Sequence, residues 1–186
     1  MDNRLVRLSK FLCVVLRHDP SAAGIEVNEH GWARADAIIE AFSRRGPFDR
    51  ETLEEIVRND NKSRYAFSAD GSMIRCNHGH TIQVDLELPA SRPPEYLLHG
   101  TGDVCVSSID REGLRPGARM YVHMTDDERM AVSVGARHGR PVVYRVKSGA
   151  MARDGFEFFQ SASGIWLTER VPAEYLEKMQ DKCRGG

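Results

Sequence analysis

The stretch LVRLSKFLCVVLRHDP, residues 5–20, decides how the fold begins. Apolar residues recur in it at helical spacing, so residues 5–16 predict a helix with one apolar stripe. The stripe consists of Leu5, Leu8, Leu12, Val15 and Leu16. Pro20 prevents the helix from continuing, so it ends on two adjacent basic residues, Arg17 and His18. Basic side chains suit a helix C-terminus, where backbone carbonyls leave partial negative charge. From this stretch alone, Arg17 and His18 could either stabilise the C-terminus of the helix or bind a ligand.

The composition is ordinary for a soluble globular protein, with 41% hydrophobic and 28% charged residues in a chain of 186. No run approaches the roughly 18 apolar residues that a membrane span needs, and the N-terminus lacks the basic-then-apolar pattern of a secretory signal. The cysteines form no Cys-x-x-Cys pair, which argues against a disulfide framework or a Cys-only zinc site. They are Cys13, Cys76, Cys105 and Cys183. We expect a reduced, cytoplasmic enzyme or binding protein.

The basic residues are unusual in type rather than in number. The net charge of −1 argues against a protein that coats nucleic acid through bulk electrostatics. Of the 26 basic residues, 21 are arginines and five are lysines. Arginine offers a planar fork that matches two phosphate oxygens at once, although a GC-rich genome would produce the same bias. If phosphate is bound, a few placed arginines bind it.

A proline-rich segment divides the chain. LELPASRPPE, residues 86–95, carries three prolines and neither a helical nor an alternating pattern. We therefore predict an N-terminal lobe over residues 1–88, a linker over residues 89–95 and a C-terminal lobe over residues 96–186.

The first lobe has the order of a winged helix-turn-helix, a module that commonly binds nucleic acid. A second helix spans about residues 34–44, and Asp49 can cap a third. RYAFSADGSMIRC predicts a hairpin around Asp70-Gly71, and HTIQVDLEL, residues 80–88, alternates like a further strand. Fold alone does not establish function.

The second lobe mixes short strands and helices. PEYLLHGT, RPVVYRVK and GIWLTERV predict strands, and residues 104–113 and 126–138 predict helices. Pro172 is expected to begin a last helix, at the first position that proline favours. The predicted fold class is α+β.

Neither standard nucleotide-binding fingerprint is present, so candidate residues come from shorter segments. CNHGH places Cys76, His78 and His80 on one face if it is a strand. A metal site is conceivable there, but no fourth ligand is evident. We favour the edge of a strand and a turn, and we expect no metal.

Three other segments combine polar groups that suit a phosphate or a sugar. DNKSRY places Lys62 and Arg64 at the entry to the hairpin. LLHGT ends a strand, and its glycine would let a ligand approach the backbone while polar neighbours hold a sugar hydroxyl. GARMYVHMT separates Arg119 and His123 by four residues, so both share a face if residues 119–124 are extended. Each residue alone is better explained as an exposed charge, a turn glycine or a core histidine.

Together these segments resemble the RNA 2′-phosphotransferases, the KptA family, over nearly the whole chain. The matching elements follow the family's order: LSKFLCVVLRHDP, EHGWARADAII, NDNKSRYAFS, IRCNHGHTIQVDL, PPEYLLHGT, GLRPGARMYVHMT, VGARHGRPVVYRV and GIWLTERVPAEYL. The resemblance implies an N-terminal winged-helix lobe, a C-terminal ADP-ribosyltransferase-like lobe and a site in a central cleft. It also implies transfer of an internal RNA 2′-phosphate, of the tRNA splice-junction type, to NAD⁺ as co-substrate. Expected products are RNA with a 2′-hydroxyl, nicotinamide and ADP-ribose 1″,2″-cyclic phosphate.

The resemblance also assigns roles to residues. The expected catalytic set is Arg17, His18, Arg64 and Arg119. The expected NAD-binding set is His99, Gly100, Thr101, Ser108 and His123. Lys62 is expected to contact RNA phosphate. We expect a monomer without a membrane partner.

Two alternatives stay open at this point. The same arginines would serve an enzyme that ADP-ribosylates a terminal phosphate of nucleic acid. A winged-helix nucleic-acid binder without catalysis belongs to a different class, and the intact segments around His99 and Arg119 argue against it.

Overall fold

Residues 3–179, the part of the chain that the computed structural model describes, form short helices and small sheets. Within this range every strand pair is antiparallel, which confirms the predicted α+β class. The chain divides into two units, Met1–Leu88 and Pro89–Gly186, called unit 1 and unit 2 below. No helix in the described range is both long and apolar enough to cross a membrane. Cys183 lies outside the described residues.

Unit 1 has three helices followed by a hairpin, in the predicted order. The helices are α1 (Asn3–Arg17), α2 (Ala35–Ser43) and α3 (Arg50–Arg58). The strands are β1 (Ala33–Arg34), β2 (Tyr65–Phe67) and β3 (Met73–Cys76), with β3 in the centre. The Asp49 carboxylate caps α3 by accepting a hydrogen bond from Thr52 N at 2.9 Å, as predicted. Gly71 at φ 72° closes the turn of the β2–β3 hairpin.

The apolar stripe of α1 forms the centre of the unit 1 core. Its residues without exposed surface are Leu12, Val15 and Leu16. Burying each such side chain contributes about 1.5–3 kcal/mol. Ser9 also faces inward, where the Tyr65 hydroxyl donates a hydrogen bond to its carbonyl oxygen at 2.6 Å. Core packing therefore fixes the C-terminal end of α1, at which Arg17 lies.

The strand predicted over residues 80–88 is wrong, because these residues form no ladder with another strand. Val84 and Leu86 are buried, so the alternation correctly indicated a chain with one buried face. However, Asp85 N donates to the carbonyl oxygen of Glu29, which lies in a loop, at 2.7 Å. An alternating pattern predicts that alternate side chains are buried. It does not show whether a neighbouring strand is present to form backbone hydrogen bonds.

Over residues 89–179, unit 2 contains two small sheets and three α-helices. One sheet has the order β4 (Leu97–Gly102), β6 (Pro141–Val146), β9 (Leu176–Lys178). The other has the order β5 (Val122–Met124), β8 (Trp166–Thr168), β7 (Phe159–Gln160). The helices are α4 (Val106–Glu112), α5 (Glu128–Gly135) and α6 (Ser148–Arg153). Leu98 and Thr125 exchange two backbone hydrogen bonds, of 2.7 and 3.0 Å, and so join β4 to the end of β5. The three predicted strands and two predicted internal helices are confirmed.

Strand β4 carries glycines because α5 and the turn after it pack directly on its backbone. A Cβ added at Gly100 would lie 1.7 Å from the Ala131 carbonyl oxygen. A Cβ added at Gly102 would lie 2.2 Å from the carbonyl oxygen of His138. Contact at this distance leaves no room for any side chain. Because side chains alternate along a strand, His99 projects from the opposite face of β4.

The helix predicted to begin at Pro172 is wrong. Ala173–Tyr175 form a single 3₁₀ turn, after which the chain enters β9 and pairs with β6. Proline does mark the start of a turn here. The residues after it find a strand partner that is distant in sequence, and no local pattern reveals that partner.

The proline-rich segment over residues 89–95 is bonded to unit 2. Ser91 N donates to the Phe158 carbonyl oxygen at 2.7 Å, and the Ser148 hydroxyl donates to the Pro94 carbonyl oxygen at 2.7 Å. These contacts attach the segment to the elements that follow it.

Candidate active site

Arg17, the last residue of α1, has a half-buried guanidinium group without an acceptor for two of its nitrogens, Nε and Nη2. The group lies against Gly79, where an added Cβ would meet Arg17 Cζ at 3.5 Å. The Arg17 carbonyl accepts a hydrogen bond from Thr81 N at 2.9 Å, which fixes the same loop. The group has a side-chain hydrogen bond with Cys76, but burying two nitrogens of a cation without acceptors is costly. The position therefore fits an anionic ligand.

A cysteine thiol connects Arg17 to a second predicted catalytic arginine. A hydrogen bond with Cys76, at the end of β3, lowers the pKa of the Cys13 thiol to about 6. Burial opposes this shift, and the positive charges of Arg17 and Arg64 assist it. Both guanidinium groups therefore act on one thiol, which places them at the same end of unit 1.

Arg64 comes directly before β2 and is held by Asp60. Nε and Nη2 of Arg64 both donate to Asp60 Oδ1, at 2.8 and 2.7 Å, and the Arg64 backbone N donates to Oδ2. The Asp60 side chain is 1% exposed, against 24% for Arg64. Sequence reasoning missed Asp60. The acidic residue four positions before the arginine was a visible signal, but nothing in the sequence shows that its carboxylate is buried.

The turn that carries Arg64 has an uncommon backbone conformation. Ser63 has φ 46°, in the left-handed region. The side-chain amide of Asn77 donates to the Ser63 carbonyl at 2.7 Å, and Asn77 N donates to the Arg64 carbonyl at 2.8 Å. These bonds hold the turn against β3. Lys62 lies on the same turn with its side chain exposed, so a polyanion can reach it.

His18, also expected in the catalytic set, is exposed and follows α1 directly. Its Nδ1 lies 3.0 Å from Thr81 Oγ1. Thr81 thus contacts both members of the Arg17-His18 pair, through its side chain and its backbone N. The pair at the end of the helix is positioned by a loop rather than by the helix terminus alone.

His80 and Arg75 extend this basic region, and sequence reasoning did not select either for phosphate binding. Burial lowers the pKa of His80 to about 4, and the charges of Arg17, His18 and Arg75 contribute further. Buried nitrogens of both residues, His80 Nε2 and Arg75 Nε, lack hydrogen-bond partners. Arg75 stacks on Trp32, with Cζ 4.4 Å from the ring centroid. His80 is therefore neutral at pH 7, in surroundings that favour an anion.

The CNHGH segment does not have the geometry assumed for a metal site. Strand β3 ends at Cys76, so the residues after it do not continue on a strand face. Within residues 3–179, no group of three or more His, Cys, Asp or Glu side chains is arranged to hold a metal ion.

In unit 2, His99 on β4 is fixed by a backbone carbonyl. His99 Nδ1 lies 2.9 Å from the His123 carbonyl oxygen. A carbonyl oxygen only accepts, so Nδ1 carries the proton and Nε2 of the neutral ring is an acceptor. Burial lowers the pKa of His99, opposed by this hydrogen bond, and the charge of Arg119 lowers it further. His99 is therefore a neutral acceptor close to a cation.

His123 on β5 is oriented in the same manner. Its Nδ1 lies 2.9 Å from the Tyr121 carbonyl oxygen, so Nδ1 carries a proton and donates. The structure thus brings together three predicted residues, His99, His123 and Arg119.

Arg119 reaches this position by a turn and not by a strand. Residues 119–121 are a bend, and β5 begins only at Val122, so the extended conformation considered for residues 119–124 is wrong for its first half. Arg119 N donates to the Pro116 carbonyl at 3.2 Å. Gly117 at φ 65° permits this turn.

The glycine of LLHGT has a structural reason of its own. On the side where a Cβ would stand, Gly100 contacts the backbone of α5, which gives this glycine a packing role, and its expected part in NAD binding stays a prediction. Thr101 projects from the same face of β4 as His99 and is buried. Ser108 lies on α4 with its side chain exposed to solvent.

Comparison with known proteins adds an independent finding. A family model described as RNA 2′-phosphotransferase, Tpt1 / KptA family, matches residues 3–170. A relative from Nostoc punctiforme is 44% identical over 179 residues, which cover 96% of this chain and 99% of the relative. A relative from Streptomyces coelicolor is 45% identical over 176 residues, covering 94% and 96%. One from Flavobacterium johnsoniae is 43% identical over 177 residues, covering 95% and 97%. All three bear the name "Probable RNA 2′-phosphotransferase".

Proposed function

The chain belongs to the RNA 2′-phosphotransferase, Tpt1 / KptA family, as its sequence predicts, and we propose that it transfers an internal RNA 2′-phosphate to NAD⁺. The substrate is RNA of the tRNA splice-junction type. In the first step a 2′-phosphate oxygen bonds to C1″ of NAD⁺ and nicotinamide leaves, giving 2′-phospho-ADP-ribosyl RNA. In the second step O2″ bonds to phosphorus and the RNA leaves with a 2′-hydroxyl. ADP-ribose 1″,2″-cyclic phosphate is the other product.

One observation carries this proposal: a guanidinium group with two buried nitrogens that lack acceptors, at the end of α1. The charges of Arg17 and Arg64 both lower the pKa of the Cys13 thiol, and the proposal places one phosphate near both residues. Arginine binds phosphate oxygens in pairs. We assign both residues to the 2′-phosphate, with His18 as a further donor or proton-transfer group.

The chemical demands of the two steps suit fixed cations. A phosphate is already an anionic nucleophile, so the first step needs the anion held in line more than it needs a strong base. The second step needs negative charge on the phosphoryl oxygens to be stabilised as the new bond forms. Asp60 leaves one edge of the Arg64 guanidinium available by bonding only through Nε and Nη2.

Unit 2 offers groups that suit the ribose and phosphates of a dinucleotide. Neutral His99 presents Nε2 as an acceptor, which fits a ribose hydroxyl. His123 is oriented alike, and Thr101 shares the strand face of His99. When bound, NAD⁺ supplies the electrophilic carbon and the leaving group. Arg119, whose charge acts on His99, is assigned to the developing negative charge, and Ser108 stays a more peripheral candidate.

The test is to incubate the purified protein with a short RNA carrying one internal 2′-phosphate, with and without NAD⁺. RNA and nucleotide products are then separated. We expect loss of the 2′-phosphate only with NAD⁺, together with nicotinamide and the cyclic phosphate. An RNA that stays ADP-ribosylated would limit the activity to the first step. An RNA that stays unchanged with NAD⁺ would overturn the proposal.

A further inference from the structure

A second basic region lies in unit 1, along the first half of α1. A groove of about 390 Å³ is formed there by α1, the end of α2 and the loop that follows α2. Three arginines line it, Arg4, Arg7 and Arg45, together with the rings of Phe11 and Phe42. None of the described residues that line it is acidic. The chain as a whole has a net charge of −1, so this groove is a local concentration of positive charge.

Arg45 is held by groups that do not cancel its charge. Arg45 Nη2 donates to the Ala22 carbonyl oxygen at 2.7 Å, and Arg45 Cζ lies 4.4 Å from the centroid of the Phe11 ring. Arg4 Nη2 donates to the Pro47 carbonyl oxygen. Carbonyls and aromatic faces orient a guanidinium group and leave its full charge in place.

A neighbouring arginine shows the opposite arrangement. Arg44, next to Arg45, forms an ion pair with Glu40, with Nη2 2.5 Å from Oε1, and it does not line the groove. Arg7, by contrast, is exposed and forms no ion pair within residues 3–179. Arg4 has an acidic neighbour, Asp49, whose carboxylate is already bonded to the N-terminus of α3.

We propose that this groove binds the ribose-phosphate backbone of the substrate RNA at nucleotides away from the one that carries the 2′-phosphate. Arg7 and Arg17 lie on the same helix, about 15 Å apart along its axis at 1.5 Å per residue. An RNA chain is long enough to span that distance with a few nucleotides. The groove offers its backbone the charge of Arg45, already oriented by Phe11 and a carbonyl oxygen, together with the exposed side chain of Arg7. The inference rests on the RNA substrate of the proposed function and does not depend on NAD⁺.

The test compares RNA length, because a distal site is used only by a long RNA. Two probes carry the same internally 2′-phosphorylated nucleotide, one about 3 and one about 12 nucleotides long. Their affinity is measured by fluorescence anisotropy without NAD⁺, at salt concentrations between about 50 and 200 mM. For the long probe, we expect R7A/R45A to weaken binding about tenfold at the lowest salt. The slope of log affinity against log salt should become shallower by about 0.7 for every phosphate that an arginine no longer neutralises.

Two controls distinguish a distal RNA site from a general disturbance of unit 1. The short probe should bind R7A/R45A as it binds the wild type, and Arg44→Ala should leave both probes unaffected. Because Arg45 also packs on Phe11, Arg7→Glu is the second variant: it changes an exposed side chain and should weaken the long probe alone. Equal weakening of both probes, or none, would overturn the groove assignment. If wild-type protein binds neither probe, the RNA substrate of the proposed function itself is wrong.

Discussion

In unit 1 the predicted site residues include two arginines whose charges act on one thiol, whereas in unit 2 they include histidine rings held by backbone carbonyls. Arg64 is fixed by the Asp60 carboxylate, and Arg17 has nitrogens still without acceptors. His99 and His123 each donate through Nδ1 to a carbonyl oxygen. The difference suggests a division of labour in which unit 1 takes the dianionic phosphate and unit 2 takes the sugar hydroxyls of the second substrate.

The largest effect is expected at Gly100, where the backbones of β4 and α5 pack directly on each other. Gly100→Ala would place a Cβ 1.7 Å from the Ala131 carbonyl oxygen, so β4 or α5 must move. We expect a loss of about 3 kcal/mol or more in the free energy of unfolding of unit 2. Urea unfolding followed by tryptophan fluorescence in a Trp32→Phe background reports on unit 2 through Trp166.

The matched control is a glycine with open space around it. Gly164 has φ 78° and no heavy atom within 4 Å of an added Cβ, so Gly164→Ala should cost only the conformational strain, about 1 kcal/mol. If Gly100→Ala costs no more than Gly164→Ala, the packing of α5 on β4 does not hold the strand.

This glycine illustrates what the sequence could and could not predict. The helices α1, α2 and α3 and the hairpin were predicted because periodicity, the Asp49 cap and the Asp70-Gly71 turn are local signals. The strand over residues 80–88 and the helix after Pro172 were wrong because strand pairing depends on distant partners. The reason for Gly100 is also distant, since α5 follows some 30 residues later.

The same distinction between local signals and distant partners applies to the candidate active site. The family's order of motifs selected Arg17, Arg64 and Arg119, but their surroundings were not predictable. The Asp60 side chain is 1% exposed, and nothing in the local sequence indicates that burial. The neutral state of His99 follows from burial and from a carbonyl on another strand. The sequence identifies which side chains are candidates. Their protonation and orientation depend on residues that are distant in sequence and become neighbours only in the folded structure.

The division of labour between the units can be tested by removing one arginine from each. We expect Arg119→Ala to lower turnover by at least about 100-fold, the scale for losing one charge-stabilising donor, while RNA affinity changes little. Arg17→Ala should lower both turnover and RNA affinity, since its free nitrogens are assigned to the phosphate. Steady-state kinetics and RNA binding without NAD⁺ give both quantities. Near-normal turnover of Arg119→Ala would remove Arg119 from the mechanism, and a parallel loss of RNA binding would contradict the division.

The basic region of unit 1 should also produce a pH dependence of stability. The pKa of His80 is lowered from its usual 6.5 to about 4, so below pH 6.5 the unfolded chain takes up a proton that the folded chain resists. His80 should therefore reduce the free energy of unfolding of unit 1 by about 2 kcal/mol between pH 7 and pH 5. In His80→Asn, the decrease in the free energy of unfolding between pH 7 and pH 5 should be smaller by about 2 kcal/mol.

The measurement is urea unfolding in a Trp166→Phe background, where Trp32 reports on unit 1. His138→Gln, which changes an exposed histidine of unit 2, should keep the full decrease. A decrease of the same size in His80→Asn would mean that His80 is not held neutral by burial and by its basic neighbours.

The smallest effect concerns the side chain that holds Arg64. Asp60→Asn keeps the shape of the side chain but weakens its bonds to Arg64 Nε and Nη2, and we expect turnover to fall about tenfold through misplacement of the fork. Asp36→Asn, which changes an exposed partner of Arg34, is the control and should keep wild-type turnover. In an Arg64→Lys background, which lacks the fork, Asp60→Asn should have little further effect on turnover. A tenfold loss in both backgrounds would mean that Asp60 supports only the fold, whereas a loss confined to the arginine background identifies it as the residue that positions Arg64.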